Sequence, residues 1–308
     1  MHDIVIVGGG PAGLAAAIYA RRASRSVLVL EAAASCGGQI LNTPDIENYP
    51  VEAHVSGFDF STRVFEQARA LGAEFAFEKA VGMREEGGAK VVATAKGEHR
   101  ARAVILATGA RSRTLGLPDE DRLVGRGVSY CATCDGNFYR NKVVAVVGGG
   151  NTALEDALYL SDLAQKVYLV HRRDGFRGEE TNVARLKARA NVELVLNATV
   201  TRLVAEKRLQ AIEVTDVRDG SVRALELKGL FVAVGRIPEN RNFAPFLDLD
   251  ESGYVLAGED CRTRTPGLFV AGDNRAKPLR QLVTATADGA TAATEAVKYL
   301  NTLQETMP

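Results

Sequence analysis

The stretch DIVIVGGGPAG at residues 3–13 decides the fold. Its first five residues predict a buried strand, its glycines a tight turn, and the Ala-rich run through Arg22 a helix. Glycines here let the backbone approach a pyrophosphate, and the start of the helix offers free N–H groups and a partial positive charge. A tight turn without a ligand is the alternative reading of one such motif. The candidate dinucleotide-binding residues are Gly8, Gly10, Pro11, Ala12 and Gly13.

A second segment repeats this order 140 residues later. An apolar strand is predicted over residues 142–147, followed by GGGNTA at residues 148–153 and a helix through about Leu163. Two copies make a turn without a ligand a poorer explanation and indicate a duplicated βαβ unit. The second set of candidate residues is Gly148, Gly150, Asn151, Thr152 and Ala153.

The residue that ends the following strand predicts which nucleotide each site prefers. Glu31 lies 18 positions after Gly13, where a carboxylate accepts hydrogen bonds from ribose hydroxyls, as in FAD or NAD sites. The equivalent position of the second unit, 18 after Ala153, is occupied by His171. Arginines follow it, and guanidinium groups bind a 2′-phosphate that a carboxylate would repel. The second site therefore indicates NADP, through His171, Arg172, Arg173 and Arg177; a solvated basic patch is the alternative.

The remaining strands indicate how the two modules are connected. Buried-type strands end at Gly109, Gly235 and Gly272, and a long helix is predicted over Leu282–Leu300. The last segment has no glycine motif of its own, so we interpret it as completing the first module. The predicted fold is α/β, with two Rossmann-like (three-layer ββα) dinucleotide-binding domains. We predict an FAD-binding domain at 1–112 and 243–308, and an inserted NADPH-binding domain at 113–242.

Composition excludes several classes of protein. The 308 residues carry 38 basic and 38 acidic side chains, and this balance argues against nucleic-acid binding. Apolar runs are too short to span a bilayer, which argues against a membrane protein. The N-terminus enters a strand without a basic region or cleavage site, which predicts a cytoplasmic protein. In that compartment a close cysteine pair is typically catalytic or metal-binding.

Such a pair is present in CATCDG at residues 131–136. Zinc is disfavoured because Cys36 and Cys261 are isolated and the four histidines have no ligand spacing, so we predict no metal. A CxxC pair suits dithiol–disulfide exchange. Asp135 could exchange a proton with a leaving thiolate, and a turn or cap role is compatible with this. The candidate catalytic residues are Cys131, Cys134 and Asp135.

Together these motifs resemble the low-molecular-weight, bacterial-type thioredoxin reductases over essentially the whole chain. The resemblance also covers HRRDGFR at 171–177, AGD at 271–273 and RQ at 280–281. It implies a homodimeric NADPH-dependent thioredoxin-disulfide reductase that passes electrons from NADPH through FAD and the cysteine pair to thioredoxin or a thioredoxin-like protein. It also implies that Arg280, Gln281 and Leu282 line the flavin.

Further cofactor contacts and alternatives complete the prediction. Further FAD contacts are predicted at Gly38, Gln39, Asn48, Val81, Thr108, Gly109, Gly272 and Asp273, and an NADPH contact at Gly235. The second module should rotate, because the cysteine pair and the NADPH site share it and both must reach one flavin. Alternatives are a flavin-dependent dithiol oxidase, a ferredoxin-linked thioredoxin reductase and a redox-sensing nucleotide-binding module without turnover.

Overall fold

The protein, described here from a computed structural model over residues 1–43, 45–52 and 54–305, is built from two compact units. One unit comprises Met1–Arg111 and Ile237–Pro308, and the other comprises the intervening Ser112–Arg236. The chain therefore leaves the first unit once and returns to it. Among the described residues, no helix is both long enough and apolar enough to cross a membrane.

The described residues form strands, α-helices and short 3₁₀ helices. The strands are β1 (His2–Val7), β2 (Val27–Glu31), β3 (Glu74–Phe77), β4 (Ala80–Glu86), β5 (Ala89–Thr94), β6 (Glu98–Leu106), β7 (Ala110–Ser112), β8 (Val128–Ser129), β9 (Val143–Val147), β10 (Lys166–His171), β11 (Val192–Leu196), β12 (Ala198–Ala205), β13 (Leu209–Asp216), β14 (Val222–Glu226), β15 (Gly229–Val232), β16 (Arg236–Pro238) and β17 (Leu268–Val270). The α-helices are α1 (Pro11–Arg22), α2 (Gly57–Ala70), α3 (Glu120–Leu123), α4 (Ala132–Asp135), α5 (Asn151–Ser161), α6 (Glu180–Lys187) and α7 (Leu282–Glu305). Short 3₁₀ helices span Gly38–Asn42, Gly136–Tyr139 and Arg241–Phe246.

The sheet of the first unit has the order β3-β2-β1-β6-β5-β4, and β17 also pairs with β6. β1, β2, β3, β6 and β17 are parallel, whereas β5 pairs antiparallel with both β4 and β6. Alternation along β1 separates two cores. Ile4 and Ile6 belong to a cluster with the alanines of α1 and α7, while Val5 and Val7 belong to a second cluster.

The second unit repeats this plan. Its parallel sheet has the order β11-β10-β9-β15-β8, and an antiparallel sheet has the order β12-β13-β14. Val144 and Val146 of β9 pack in a cluster with apolar residues of α5, whereas Ala145 and Val147 pack in a cluster with residues of β12, β13 and β14. A parallel sheet covered on one side by helices and on the other by antiparallel strands forms three layers.

A buried ion cluster ties α7 to the loop after β17. The Asp288 carboxylate accepts hydrogen bonds from Gly272 N at 2.9 Å, from Arg275 Nε at 2.8 Å and from Lys277 Nζ at 2.8 Å. The three charged side chains are each at most 8% exposed. Burial alone would raise the pKa of Asp288, but the hydrogen bonds from Arg275 and Lys277 outweigh it and lower the pKa.

We expect Asp288→Asn to lower the free energy of unfolding by about 3–5 kcal/mol, because it leaves two buried cations without their counter-charge. Asp248→Asn, which breaks the exposed pair with Arg264, serves as the control and should cost less than about 1 kcal/mol. Urea unfolding measures both. A carboxyl with a lowered pKa stabilises the fold above its unfolded pKa, so the difference from wild type should shrink below about pH 4. Equal effects of the two variants would contradict this account.

Candidate functional site

The first glycine turn is shaped by close contact between two strand ends. Gly8 follows β1 with φ +110°, and a Cβ built on it would lie 2.3 Å from the carbonyl oxygen of Ala107, just after β6. Only glycine fits at that distance and with that backbone conformation. The chain then enters α1 through Gly10, the N-cap residue, and Pro11, which suits the first helical position.

The Glu31 carboxylate lies beside this turn at the end of β2. Its Oε2 accepts a hydrogen bond from Gly9 N at 2.8 Å, and its Oε1 accepts one from Ala33 N at 2.8 Å. These bonds fix the orientation of the carboxylate. Each carboxylate oxygen keeps further acceptor capacity for a hydroxyl ligand.

A cavity of about 460 Å³ opens above the turn within the first unit. Of the predicted FAD contacts, it is lined by Gly8, Gly10, Pro11, Ala12, Glu31, Gly38, Gln39, Thr108, Gly109, Gly272, Asp273, Gln281 and Leu282. Four predicted residues are not among the lining: Gly13, Asn48, Val81 and Arg280. Asn48 Nδ2 donates to Gln281 Oε1 at 3.2 Å, and the Arg280 guanidinium stacks 4.0 Å from the ring centre of Tyr254.

Several lining residues were not predicted from the sequence. They include Lys79, Ala80, Arg111, Glu239, Asn242 and Phe243. Lys79 and Ala80 directly precede Val81, which is predicted to contact FAD and does not line the cavity. Asn242 and Phe243 lie on the 3₁₀ helix Arg241–Phe246, and no motif in the sequence marks that helix as part of a site.

The second glycine turn has the same construction. Gly148 follows β9 with φ +156°, and its Cβ would lie 2.3 Å from the carbonyl oxygen of Ala233 after β15. Gly150 caps α5, and the Asn151 side chain accepts a hydrogen bond from Glu179 N at 2.8 Å. Thr152 is exposed and Ala153 is buried. Gly235, another predicted nucleotide contact, accepts a hydrogen bond from Arg113 N at 2.9 Å.

His171 packs against the second turn. A Cβ on Gly149 would lie 2.1 Å from its ring, its Nε2 lies 3.1 Å from the carbonyl oxygen of Gly175, and its ring stacks on Phe176. The pKa of His171 is lowered, chiefly by burial and also by the neighbouring arginines. His171 therefore holds the arginine loop against the glycine turn.

The three arginines of that loop face solvent. Arg172, Arg173 and Arg177 are exposed, and none of them forms an ion pair with another residue that the structure describes. The Arg177 backbone N–H donates to the carbonyl oxygen of Gly149 at 2.8 Å, which joins the loop to the turn. Cations without a protein counter-charge, held beside a helix N-terminus, suit a phosphate group.

The cysteine pair forms a disulfide in the second unit. Cys131 and Cys134 are joined with an S–S length of 2.06 Å and a Cα–Cα distance of 5.3 Å, and both residues are half-buried. Cys131 is the N-cap residue of α4, and Asp135 ends that helix. Burial raises the pKa of the Asp135 carboxyl, whereas a hydrogen bond from Ser129 acts in the opposite direction. A carboxyl whose pKa is raised takes up a proton more readily than an ordinary aspartate, which suits a group that exchanges protons.

Comparison with known proteins agrees with this geometry. The family described as pyridine nucleotide-disulphide oxidoreductase matches residues 2–289. A protein named thioredoxin reductase from Listeria innocua is 40% identical over 100% of this chain and 96% of its own length. One from Treponema pallidum is 41% identical over 98% of each chain. The crystal structure of thioredoxin reductase from Streptococcus pyogenes has a TM-score of 0.93 at 38% identity, covering 98% of this chain and 99% of its own.

The chain belongs to the pyridine nucleotide-disulphide oxidoreductase family. The predicted resemblance to bacterial-type thioredoxin reductases is confirmed, and so is the predicted fold class of two Rossmann-like domains. As a member of this family, the chain uses a pyridine nucleotide and a redox-active disulfide, a chemistry that the bonded Cys131–Cys134 pair fits.

The other two cysteines differ from this pair. Cys36 and Cys261 are buried free thiols, and burial raises the pKa of each to about 12. Because the thiolate is the reactive form, neither is suited to exchange chemistry.

Two histidines that have no partner evident in the sequence do have acidic neighbours: His54 Nδ1 lies 2.8 Å from Asp45 Oδ2, and His99 Nε2 lies 3.3 Å from Glu78 Oε2.

We expect Gly8→Ala to destabilise the first unit by about 3 kcal/mol or more, because its Cβ would overlap the Ala107 carbonyl oxygen. Gly82→Ala is the matched control, since the nearest atom to its Cβ is the Asn242 carbonyl oxygen at 3.9 Å. Thermal unfolding and the flavin absorbance of the purified variants measure the effect. An unchanged melting temperature in Gly8→Ala would show that the strand ends can separate without cost.

Proposed function

We propose that the protein is an NADPH-dependent reductase of thioredoxin or a thioredoxin-like protein, with FAD as its bound cofactor. The observation that carries the proposal is the Cys131–Cys134 disulfide beside the half-buried Asp135 carboxyl, in the same unit as a glycine turn flanked by exposed arginines. We propose that the unit Met1–Arg111 with Ile237–Pro308 is the FAD-binding domain and that the unit Ser112–Arg236 is the NADPH-binding domain, so that the second boundary lies six residues earlier than the predicted one between 242 and 243. The rotation of the second domain stays a prediction.

The first unit fits FAD. Its cavity combines a glycine turn at a helix N-terminus, which suits a pyrophosphate, with the oriented Glu31 carboxylate, which suits ribose hydroxyls. Gln39, Gln281 and Leu282 line the same cavity and would contact the flavin half. When bound, FAD supplies a two-electron carrier between a nicotinamide and a disulfide.

The second glycine turn fits NADPH. Gly148, Gly150 and the N-terminus of α5 would hold the pyrophosphate. Arg172, Arg173 and Arg177 would hold the 2′-phosphate, which distinguishes NADPH from NADH. We propose that His171 contributes by fixing the position of this loop, because its ring is buried against Gly149.

The cysteine pair carries out the exchange with the protein substrate. In the reduced pair, the Cys131 thiolate attacks one sulfur of the partner disulfide, forming a mixed disulfide and releasing a partner thiolate. The Cys134 thiolate then attacks Cys131, which restores the Cys131–Cys134 bond and releases the second partner thiolate. The partner gains two electrons and two protons, and Asp135 exchanges a proton with Cys131.

We further propose that the protein works in the cytoplasm as a homodimer. A reducing compartment keeps thiols reduced and is where a redox-active pair is typically catalytic. The homodimer is proposed from similarity to thioredoxin reductases. Sedimentation of the purified protein measures its oligomeric state, and a monomer at working concentration would contradict this part of the proposal.

The decisive assay is NADPH oxidation by the purified protein with a thioredoxin and a chromogenic disulfide. We expect turnover that requires thioredoxin, and its loss in Cys131→Ser and Cys134→Ser with flavin absorbance retained. Cys261→Ala, which removes a buried thiol elsewhere, is the control. Oxygen uptake with a small dithiol would favour a dithiol oxidase. Reduction of the protein by ferredoxin instead of NADPH would favour a ferredoxin-linked thioredoxin reductase, and an absence of turnover would favour a redox sensor.

The arginine loop gives a separate prediction. Arg172→Ala and Arg173→Ala should each raise the KM for NADPH about tenfold, since a hydrogen bond to a charged group contributes about 1.5 kcal/mol or more. The KM for NADH should not change, because NADH has no 2′-phosphate. Arg202→Ala, an exposed arginine of the same unit paired with Glu213, is the control. Equal losses with both nucleotides would argue that the loop does not bind the 2′-phosphate.

A further inference from the structure

Ser129 contacts both parts of the redox site. It ends β8, lies two residues before Cys131 and is 3% exposed. Its Oγ lies 2.6 Å from Asp135 Oδ2, a distance at which the hydroxyl donates to the carboxylate. The same oxygen accepts a hydrogen bond from the Cys131 backbone N–H at 3.1 Å, and the Cys131 carbonyl oxygen lies farther away, at 3.3 Å. One hydroxyl thus joins the Asp135 carboxylate to the backbone of the first redox cysteine.

We propose that Ser129 is a positioning residue for the disulfide chemistry, which holds the Asp135 carboxylate and the Cys131 backbone in one fixed relation while the disulfide opens and closes. The inference rests on the proposed function, in which Asp135 exchanges a proton with Cys131. Reduction of the disulfide adds two electrons and two protons, and Asp135 handles one of those protons. Ser129 exchanges no proton itself and acts through Asp135.

Among the described residues, Ser129 provides the side-chain hydrogen bond to the Asp135 carboxylate. In the part of the chain that the structure describes, no other side chain donates a hydrogen bond to the Asp135 carboxylate and no cation pairs with it. Tyr139 faces it from the following 3₁₀ helix, and the pKa of Tyr139 is raised to about 12 by burial and by the Asp135 charge, while Arg208 acts in the opposite direction. α5 places Tyr159 and Leu160 around Gly136.

The hydrogen bond from Ser129 changes the pKa of Asp135 in a predictable direction. Burial disfavours the charged carboxylate, whereas a hydrogen bond donated by Ser129 favours it. Without the hydroxyl, the pKa of Asp135 rises further. Any step that depends on the protonation state of Asp135 therefore moves to higher pH in Ser129→Ala. If Ser129 only stabilised the fold, its substitution would lower activity at every pH and leave the pH dependence of the activity unchanged.

The test compares Ser129→Ala with Ser129→Thr, which keeps the hydroxyl, and with Asp135→Asn, which removes the titrating group. Ser161→Ala is the matched control, because this buried serine of the same unit donates only to the Leu158 carbonyl oxygen at 2.7 Å. We expect Asp135→Asn to lower kcat on the order of 10²-fold and to remove one limb of the pH profile of kcat/KM for thioredoxin. Ser129→Ala should lower kcat less and shift that limb upward, whereas Ser129→Thr and Ser161→Ala should follow wild type.

A second readout is independent of NADPH, FAD and thioredoxin. After chemical reduction, the rate of Cys131 carboxymethylation is measured against pH in the same variants. The inflection in this rate profile that is caused by Asp135 should be absent in Asp135→Asn. It should lie at higher pH in Ser129→Ala than in wild type, and at the wild-type pH in Ser129→Thr. Should Ser129→Ala not fold, Ser129→Gly removes the same hydroxyl and takes its place.

The two possible failures are distinguishable. If the wild-type protein does not reduce thioredoxin with NADPH, the proposed function is contradicted. The pH dependence of Cys131 carboxymethylation can still be measured in that case and still tests the role of Ser129. An unshifted inflection in a folded variant without the hydroxyl overturns the role of Ser129. So does a shift in Ser129→Thr as large as that in Ser129→Ala.

Discussion

Close contact between strand ends is the constraint on which both units depend. At Gly8 and at Gly148, a side chain would lie 2.3 Å from the carbonyl oxygen that follows the neighbouring parallel strand. The strand ends therefore meet without side chains between them, and after each of the two glycine turns the chain enters a helix. The N-terminus of that helix opens onto the edge where the other parallel strands also end, which is where α/β sheets bind ligands. In the first unit, Thr108, Gly109 and Gly272 line the cavity because their strands end at this edge.

Two aspartates, the buried Asp288 and the half-buried Asp135, show how surroundings change the proton affinity of one chemical group. Asp288 is held between Arg275, Lys277 and the Gly272 amide, so its pKa is lowered and it stays charged beside Gly272, which lines the cavity. Asp135 has one hydroxyl donor and no cation among the described residues, so burial prevails and its pKa is raised. The first arrangement suits a fixed structural anion, whereas the second suits a group that gains and loses a proton.

Features carried by local sequence were predictable. The glycine turns, the carboxylate at the end of β2 and the cysteine pair each depend on residues close together in the chain, and their chemistry follows from residue type and spacing. Contacts between residues that are distant in sequence could not be predicted. Arg280 stacks on Tyr254, and Phe243 reaches the cavity from a 3₁₀ helix that no motif announces. The helix α7 continues to Glu305, beyond the predicted Leu300.

The sequence by itself determined the duplicated strand–turn–helix units and the close cysteine pair, since these depend on local backbone sterics and on residue spacing. The charge of a few residues also predicts a different nucleotide for each unit. Only the tertiary structure decided which groups meet. It buried His171 against Gly149, placed Ser129 between Asp135 and Cys131, and enclosed Asp288 with two cations. These contacts depend on the packing of segments within each unit and on the low polarity of its interior, which sets both the cost of a buried charge and the proton affinity of a buried acid.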